Sequence, residues 1–165
     1  MAKDFSFDVA SDVDLNILNE VINVAMREIT NRFDFKGTGA DITLDQKEKT
    51  IVFLGESDFQ IDQLKDILTS KMVKRNVSPK ALSFKKKENA SGNKVREFNN
   101  IVCGIDKEIA KKIVNDIKGL GLKVQSSIQD EKLRISGRDK DELQSVMKFL
   151  REKDYPVALQ FENFR

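Results

Sequence analysis

Residues 48–68, EKTIVFLGESDFQIDQLKDIL, and residues 130–150, DEKLRISGRDKDELQSVMKFL, fall into register when the chain is shifted against itself by 82 positions. Gly55 then meets Gly137, Ile51 meets Leu133, Phe53 meets Ile135, Ile61 meets Leu143, Leu64 meets Val146 and Leu68 meets Leu150. The helix starts match as well. Ser57 stands three residues before Gln60, and Asp139 three before Glu142, the spacing at which a capping side chain and its partner exchange hydrogen bonds. Correspondence at this level of local chemistry argues for duplication. The period is too long for a solenoid and suits two small domains.

Outward from these stretches, each half reads strand, helix, hairpin, helix, strand. In the first, Phe5, Phe7 and Val9 alternate as a strand over 5–9, and Ser11 with Asp14 opens a helix whose Leu15, Leu18, Val21, Ile22, Ala25 and Ile29 recur at helical spacing. Strands are predicted at 40–45 and 50–54, joined by the polar turn DQKEK. Phe59, Ile61, Leu64, Ile67, Leu68 and Met72 line a second helix that stops before Pro79, and ALSFKKK is a short extended piece. The second half repeats the pattern: a strand at 97–103, a helix at 107–118, a hairpin around QDEK, a helix at 140–151 and a final strand at 157–161. Two βαββαβ units of this kind give an α+β protein with two four-stranded antiparallel sheets, each carrying helices on one face. The stretch KENASGNK, residues 87–94, discourages regular structure and sets domain boundaries at 1–90 and 91–165. Either FSFDV or FNNIVCG fits a given sheet, so strands 5–9 and 97–103 are either retained or exchanged between the halves.

Composition narrows the chemistry. The 165 residues are 39% hydrophobic and 34% charged, as in a folded soluble domain pair, and no apolar run approaches the roughly 18 residues of a membrane span. MAKDFSFD has no apolar leader core, so the expected location is the cytoplasm. The chain has no His, which removes Ser-His-Asp, Cys-His and HExxH chemistry and the commonest metal ligand. Its one cysteine, Cys103, has no disulfide partner and is expected in a buried strand. The net charge of +2 is unevenly spread: residues 71–96 hold nine Lys or Arg against Glu88 alone, +8 in all, which leaves −6 for the rest. Such a local band can meet phosphate where the mean charge cannot.

The connectors after the first helix of each half differ. The second half crosses with KGLGLK, residues 118–123, whereas the first uses the longer NRFDFKGTGAD, residues 31–41. The sister unit folds without that surplus, which marks residues 31–37 as shaped for a ligand. In an extended segment Phe33 and Phe35 project to one side and Asp34 to the other, with Arg32 and Lys36 flanking. Rings edged by cations suit a stacked base and its phosphates. Gly37 and Gly39 let backbone N–H groups approach a phosphate, although GTGAD is not a P-loop. The competing reading makes both rings core plugs and Arg32 the partner of an acid. The tail LQFENFR poses the same choice for Phe161, Phe164 and Arg165, between packing and binding. The lysines of FKKK, residues 84–87, either protect a sheet edge or extend a phosphate track.

FDVASDVDL, NRFDFKGT, LGESDFQIDQLKDIL, KVQSSIQDEKLRISGRDKDELQSVMKFLR and LQFENFR together resemble the YajQ family of small bacterial proteins, essentially end to end. The resemblance implies a tandem of two ferredoxin-like domains similar to RNA-recognition modules. It also implies nucleotide binding, with RNA such as tRNA, purine nucleotides or a cyclic dinucleotide as ligands, no cofactor and no catalytic residues. Arg32, Phe33, Phe35, Lys36, Phe161, Phe164 and Arg165 are the expected contacts. Lys36 stands where some relatives have Arg, which keeps the charge but loses a planar two-pronged donor. The sequence therefore predicts a non-enzymatic nucleotide-binding or RNA-binding protein. The alternatives are an adaptor for a protein partner tuned by a nucleotide, and an enzyme of phosphate chemistry using Asp34 and Lys36.

Overall fold

A computed structural model describes residues 4–165. The elements run β1 (Phe5–Ala10), α1 (Leu15–Asn31), β2 (Asp41–Asp45), β3 (Thr50–Gly55), α2 (Asp58–Lys74), β4 (Leu82–Ala90), β5 (Lys94–Ile101), α3 (Lys107–Lys118), β6 (Val124–Gln129), β7 (Lys132–Gly137), α4 (Lys140–Glu152) and β8 (Gln160–Glu162). They build two four-stranded antiparallel sheets, ordered β2-β3-β5-β4 and β6-β7-β1-β8. This is the two-sheet α+β, ferredoxin-like architecture expected of a duplicated βαββαβ unit. Among the described residues no helix is long and apolar enough to cross a membrane.

The chain divides into two compact units, one of residues up to Asp12 together with Cys103–Arg165, the other Val13–Val102. In the contiguous unit, Ile42, Ile51 and Phe53 of the sheet pack against Leu18, Val21, Ile22, Ala25 and Ile29 of α1 and Ile61, Leu64, Leu68 and Met72 of α2, all buried. The central strand β5 pairs with β3 and β4. Residues 87–94 are the end of β4, a turn containing Gly92 at φ +74°, and the start of β5. β4 itself is nine residues long, where a short extended piece was expected, because it pairs with β5 across a bulge at Phe84/Lys86.

In the other unit β1 lies between β7 and β8, with Phe7 opposite Ile135 and Val9 opposite Leu133 and Phe161. Phe7 and Val9 share a buried layer with Ile113, Ile117, Val146 and Leu150. The strand partners of the duplicated stretch thus obey one rule in both units. Glu97 faces Phe53 in one sheet as Phe7 faces Ile135 in the other.

Several local expectations are corrected. Asp14 alone caps α1, accepting from the Asn16 and Ile17 amides, while Ser11 is buried and its carbonyl accepts from Gly104 N–H. Ser57 caps α2 by accepting from Gln60 N–H, and Gln60 returns the bond to Glu56 N–H. Asp139, in contrast, accepts from Asp141 N–H, one residue short of the expected partner. Phe59 is 73% exposed, because it falls on the first turn of α2 away from the Ile61–Leu64–Leu68 row. Cys103 is half-buried just beyond β5 and belongs to no strand. The last strand begins at Gln160, since Tyr155 and Val157 turn inward as buried plugs before pairing with β1 starts.

Candidate functional site

The connector is built from α1 outward. Arg32 ends the helix with extended backbone (φ −81°, ψ 134°), and its N–H donates to the Ile29 carbonyl at 3.2 Å. Phe33–Phe35 then forms one turn of 3-10 helix, with Phe35 N–H donating to Arg32 O and Lys36 N–H to Phe33 O. Thr38 closes the turn twice over, through its amide (3.2 Å) and its hydroxyl (2.6 Å) on the Phe35 carbonyl. The extended segment expected here is therefore wrong. With three residues per turn, side chains two apart point about 120° from each other.

That geometry separates the two rings. Phe35 is 4% exposed and packs into the core, whereas Phe33 is 92% exposed. Phe35 offers no face to a ligand; Phe33 offers both. Arg32 is committed to the connector's own structure: Nε and Nη2 donate to the two carboxylate oxygens of Asp34 at 3.1 and 2.8 Å, and the guanidinium lies 5.2 Å from the Phe35 ring centroid. Glu28 adds a weaker contact at 3.8 Å. The fork-shaped donor fits a carboxylate two residues on and fastens the turn that buries Phe35. The hydrogen bond from Arg32 holds the Asp34 carboxyl below the usual carboxylate range, and the same bond raises the guanidinium. Asp34 is thereby a poor proton acceptor.

The Lys36 side chain is exposed, and among the described residues its ammonium makes no ion pair or hydrogen bond. The turn that follows it holds Gly37 at φ +75° and Gly39 at φ +72°, conformations that L side chains resist. Lys94, at the start of β5, reaches over this turn: a Cβ on Gly39 would collide with its ammonium. Sequence reasoning counted Lys94 only as one member of the basic band. Its place beside Gly39 depends on β5 joining the sheet of β2 and β3, which no local pattern announces.

Most of that band is already paired. Lys71 meets Glu28, Arg75 meets Glu20, Lys87 meets Asp58 and Glu97, and Arg96 and Lys86 share Glu88. Phe98 was also overlooked. It alternates with the buried Glu97 and Asn99 and so faces away from α2, with the Lys86 ammonium 4.8 Å from its ring centroid. The signal was available in REFNN, where a lone aromatic sits between two polar residues that turn out to face the core.

The C-terminal candidates belong to the other unit, where both rings meet Phe7. Phe161 meets Phe7 edge-on (5.8 Å, 74°), and Phe164 stacks on the same ring (6.3 Å, 27°) while remaining 62% exposed. Arg151 lies over Phe161 at 5.1 Å. Asn163, at φ +53°, interrupts the strand and donates to Asp8 Oδ2 at 2.8 Å. Arg165 exchanges backbone hydrogen bonds with Ser6 at 3.0 and 3.3 Å. Two open clefts of this unit, about 770 and 460 Å³, are bordered by Asp4, Asp139 and Glu142 against Lys123 and Arg138, and by Asp8, Asp12, Asp130 and Glu131 against Lys132 and Arg134. Carboxylates outnumber cations in both, which disfavours a polyphosphate.

The profile of the family described as "Nucleotide-binding protein YajQ-like" matches residues 5–165. A nucleotide-binding protein of Enterococcus faecalis is 47% identical over 164 residues, covering 99% of each chain. Nucleotide-binding proteins of Bacillus cytotoxicus and Bacillus cereus are 45% and 46% identical over 165 residues, covering each chain completely. With the duplicated fold, the connector and the tail all inside the matched range, the chain belongs to the YajQ-like nucleotide-binding protein family.

Proposed function

We propose that this chain is a cytoplasmic, non-enzymatic nucleotide-binding protein that stacks a base on Phe33 and meets phosphate beside it. One observation carries the reading: Phe33 stands 92% exposed on a turn whose Arg32, Asp34, Phe35 and Thr38 are all tied down. Phe35 anchors the turn in the core, Arg32 and Asp34 clamp each other, and Thr38 bonds back to Phe35. A large ring held out by so much fixed structure is pre-organised for a flat partner, and pre-organisation lowers the entropy lost on binding. Lys36 next to it supplies charge for a phosphate. The names of the family and of its relatives support a nucleotide over other flat ligands. Purine mononucleotides, a cyclic dinucleotide and RNA such as tRNA are the ligands to compare.

The Asp34 environment supports binding over catalysis, since a carboxylate depressed by a bidentate arginine is a weak base. The expected stacking on Phe35 is set aside in favour of Phe33 alone. The test is equilibrium binding of labelled ATP, GTP, a cyclic dinucleotide and a short single-stranded RNA to wild type and Phe33→Ala. Stacking energies of about 1 to 3 kcal/mol predict a roughly 5- to 150-fold loss. Unchanged affinity in a folded Phe33→Ala protein would sink the reading.

A further inference from the structure

We infer that Lys94, together with the backbone amides of Gly37 and Gly39, forms the subsite that takes the phosphate groups of the nucleotide. The inference rests on the reading of Phe33 as the stacking surface and locates the charged end of the same ligand. Among the described residues, the Gly37 and Gly39 amides donate to no acceptor, and the Lys94 ammonium has neither a hydrogen bond nor an ion pair. An ammonium is a donor three times over and never an acceptor. The turn therefore offers two backbone donors and an ammonium with no protein acceptor, a set that an anion completes.

Apart from Lys36, the neighbouring side chains are spoken for. Arg32 is held by Asp34, and Lys71 by Glu28 at 2.9 Å. Thr38, between the glycines, is satisfied internally, its hydroxyl donating to Phe35 O and accepting from Ala40 N–H at 3.3 Å. It shapes the turn and leaves the flanking amides as the free donors. Nothing lies within 4 Å of a Cβ placed on Gly37, so an incoming group meets open space there.

The sister connector offers an internal comparison. Gly121 has the same left-handed backbone (φ +68°), yet nothing lies within 4 Å of its Cβ position, whereas the corresponding position on Gly39 lies under Lys94. One left-handed glycine recurs in both halves; the ammonium beside it is confined to the longer connector. Gly37 follows Phe33 by four residues, at most roughly 14 Å even if extended. Base and phosphate contacts thus fall within one small ligand.

The probe is sodium tripolyphosphate, which carries phosphate and no base. It is titrated into the full ¹⁵N-labelled chain, following the Gly37 and Gly39 amide resonances in wild type, Lys94→Gln and Lys85→Gln. Lys85 belongs to the same basic band but lies outside the subsite, so it controls for net charge. We expect saturable shifts of both glycine amides in wild type and Lys85→Gln, and at least a tenfold weaker response in Lys94→Gln with the remaining spectrum preserved. The preference for nucleoside triphosphate over nucleoside should shrink by the same factor. Glycine amides that do not move, or that move equally in Lys94→Gln, overturn the subsite.

The two readings fail separately. Still glycines with a Phe33-dependent affinity for nucleoside would remove the subsite and leave stacking in place; moving glycines with Phe33-independent nucleotide binding would do the reverse. A final arm compares nucleoside triphosphate with a short RNA in wild type and Lys94→Gln at two salt concentrations. For RNA, a Lys94 phosphate contact should reduce the log–log salt slope by roughly 0.7. A variant slope equal to that of wild type would assign the subsite to free nucleotide over the nucleic-acid backbone.

Discussion

Tyr155 shows how much one side chain can report. It is 2% exposed, its hydroxyl donates to Asp116 Oδ2 at 2.7 Å, and Lys112 lies 5.8 Å from its ring centroid. Burial first, then the hydrogen bond to Asp116 and the charge of that carboxylate, push the phenol far above its ordinary range. The consequence for stability has a definite sign. Above a pH of about 10 the unfolded phenol ionises while the folded one keeps its proton, so the contribution is complete below that pH and is lost as pH rises toward the folded value. The chain has one tyrosine and no tryptophan, so phenolate absorbance reads this residue alone. A spectrophotometric titration should show no phenolate near pH 10 in the folded protein and then an abrupt rise together with loss of helical circular dichroism. A smooth titration centred near 10 with the fold intact would contradict the burial.

At the scale of elements, β1 is held from both sides by one polar cluster. Asp8 is buried; Arg134 of β7 donates to it at 3.0 Å, and Asn163, just past β8, donates at 2.8 Å. The Arg134 hydrogen bond is the largest cause lowering the Asp8 carboxyl, with burial opposing it. A depressed carboxyl contributes stability that is present above the unfolded value of about 3.9 and disappears as pH falls through the folded value. Urea unfolding of wild type and Asp8→Asn from pH 7 to pH 2.5 should therefore converge at the acid end, with the variant less stable at pH 7 but less sensitive below pH 4. Parallel pH profiles would reject the linkage. The same strands show what sequence can and cannot announce. The duplicated β3–α2 and β7–α4 stretches were legible because their glycines, apolar rows and most of their capping groups are local. The sheet partner of β5 was not, because its core-facing positions carry Glu97 and Asn99, satisfied by Lys65 at 2.9 Å and by each other at 2.9 Å, where β1 carries Phe7 and Val9. A polar pair in a core layer erases the alternation on which strand assignment depends. At the connector, the surplus over its sister was readable and its conformation was not, since the Arg32–Asp34 clamp selects a 3-10 turn that side-chain alternation cannot foresee.

For the whole molecule, the strand orders make a claim about which pieces of chain are complete. Residues 13–102 contain every strand of the β2-β3-β5-β4 sheet along with α1 and α2, whereas the β6-β7-β1-β8 sheet draws its third strand from the far end of the chain. A fragment of residues 1–90 lacks β5, the strand between β3 and β4, and leaves β4 with no neighbour to pair with. A fragment of residues 103–165 lacks β1, so β8 loses the strand it pairs with and Phe161 and Phe164 lose the ring they pack on. Removing a central strand exposes two sets of unpaired backbone groups and opens the core layer above them, a loss far larger than the stability of a small domain. Fragment 13–102 is therefore expected to unfold cooperatively in urea with dispersed amide resonances. Fragments 1–90 and 103–165 are expected to be unfolded or aggregated. Adding a peptide of residues 1–12 to fragment 103–165 should restore dispersed resonances, because it returns Phe7, Asp8 and Val9 to the sheet. A fragment 1–90 that folds by itself, beside a 13–102 fragment that does not, would mean that β1 and β5 sit in the opposite sheets.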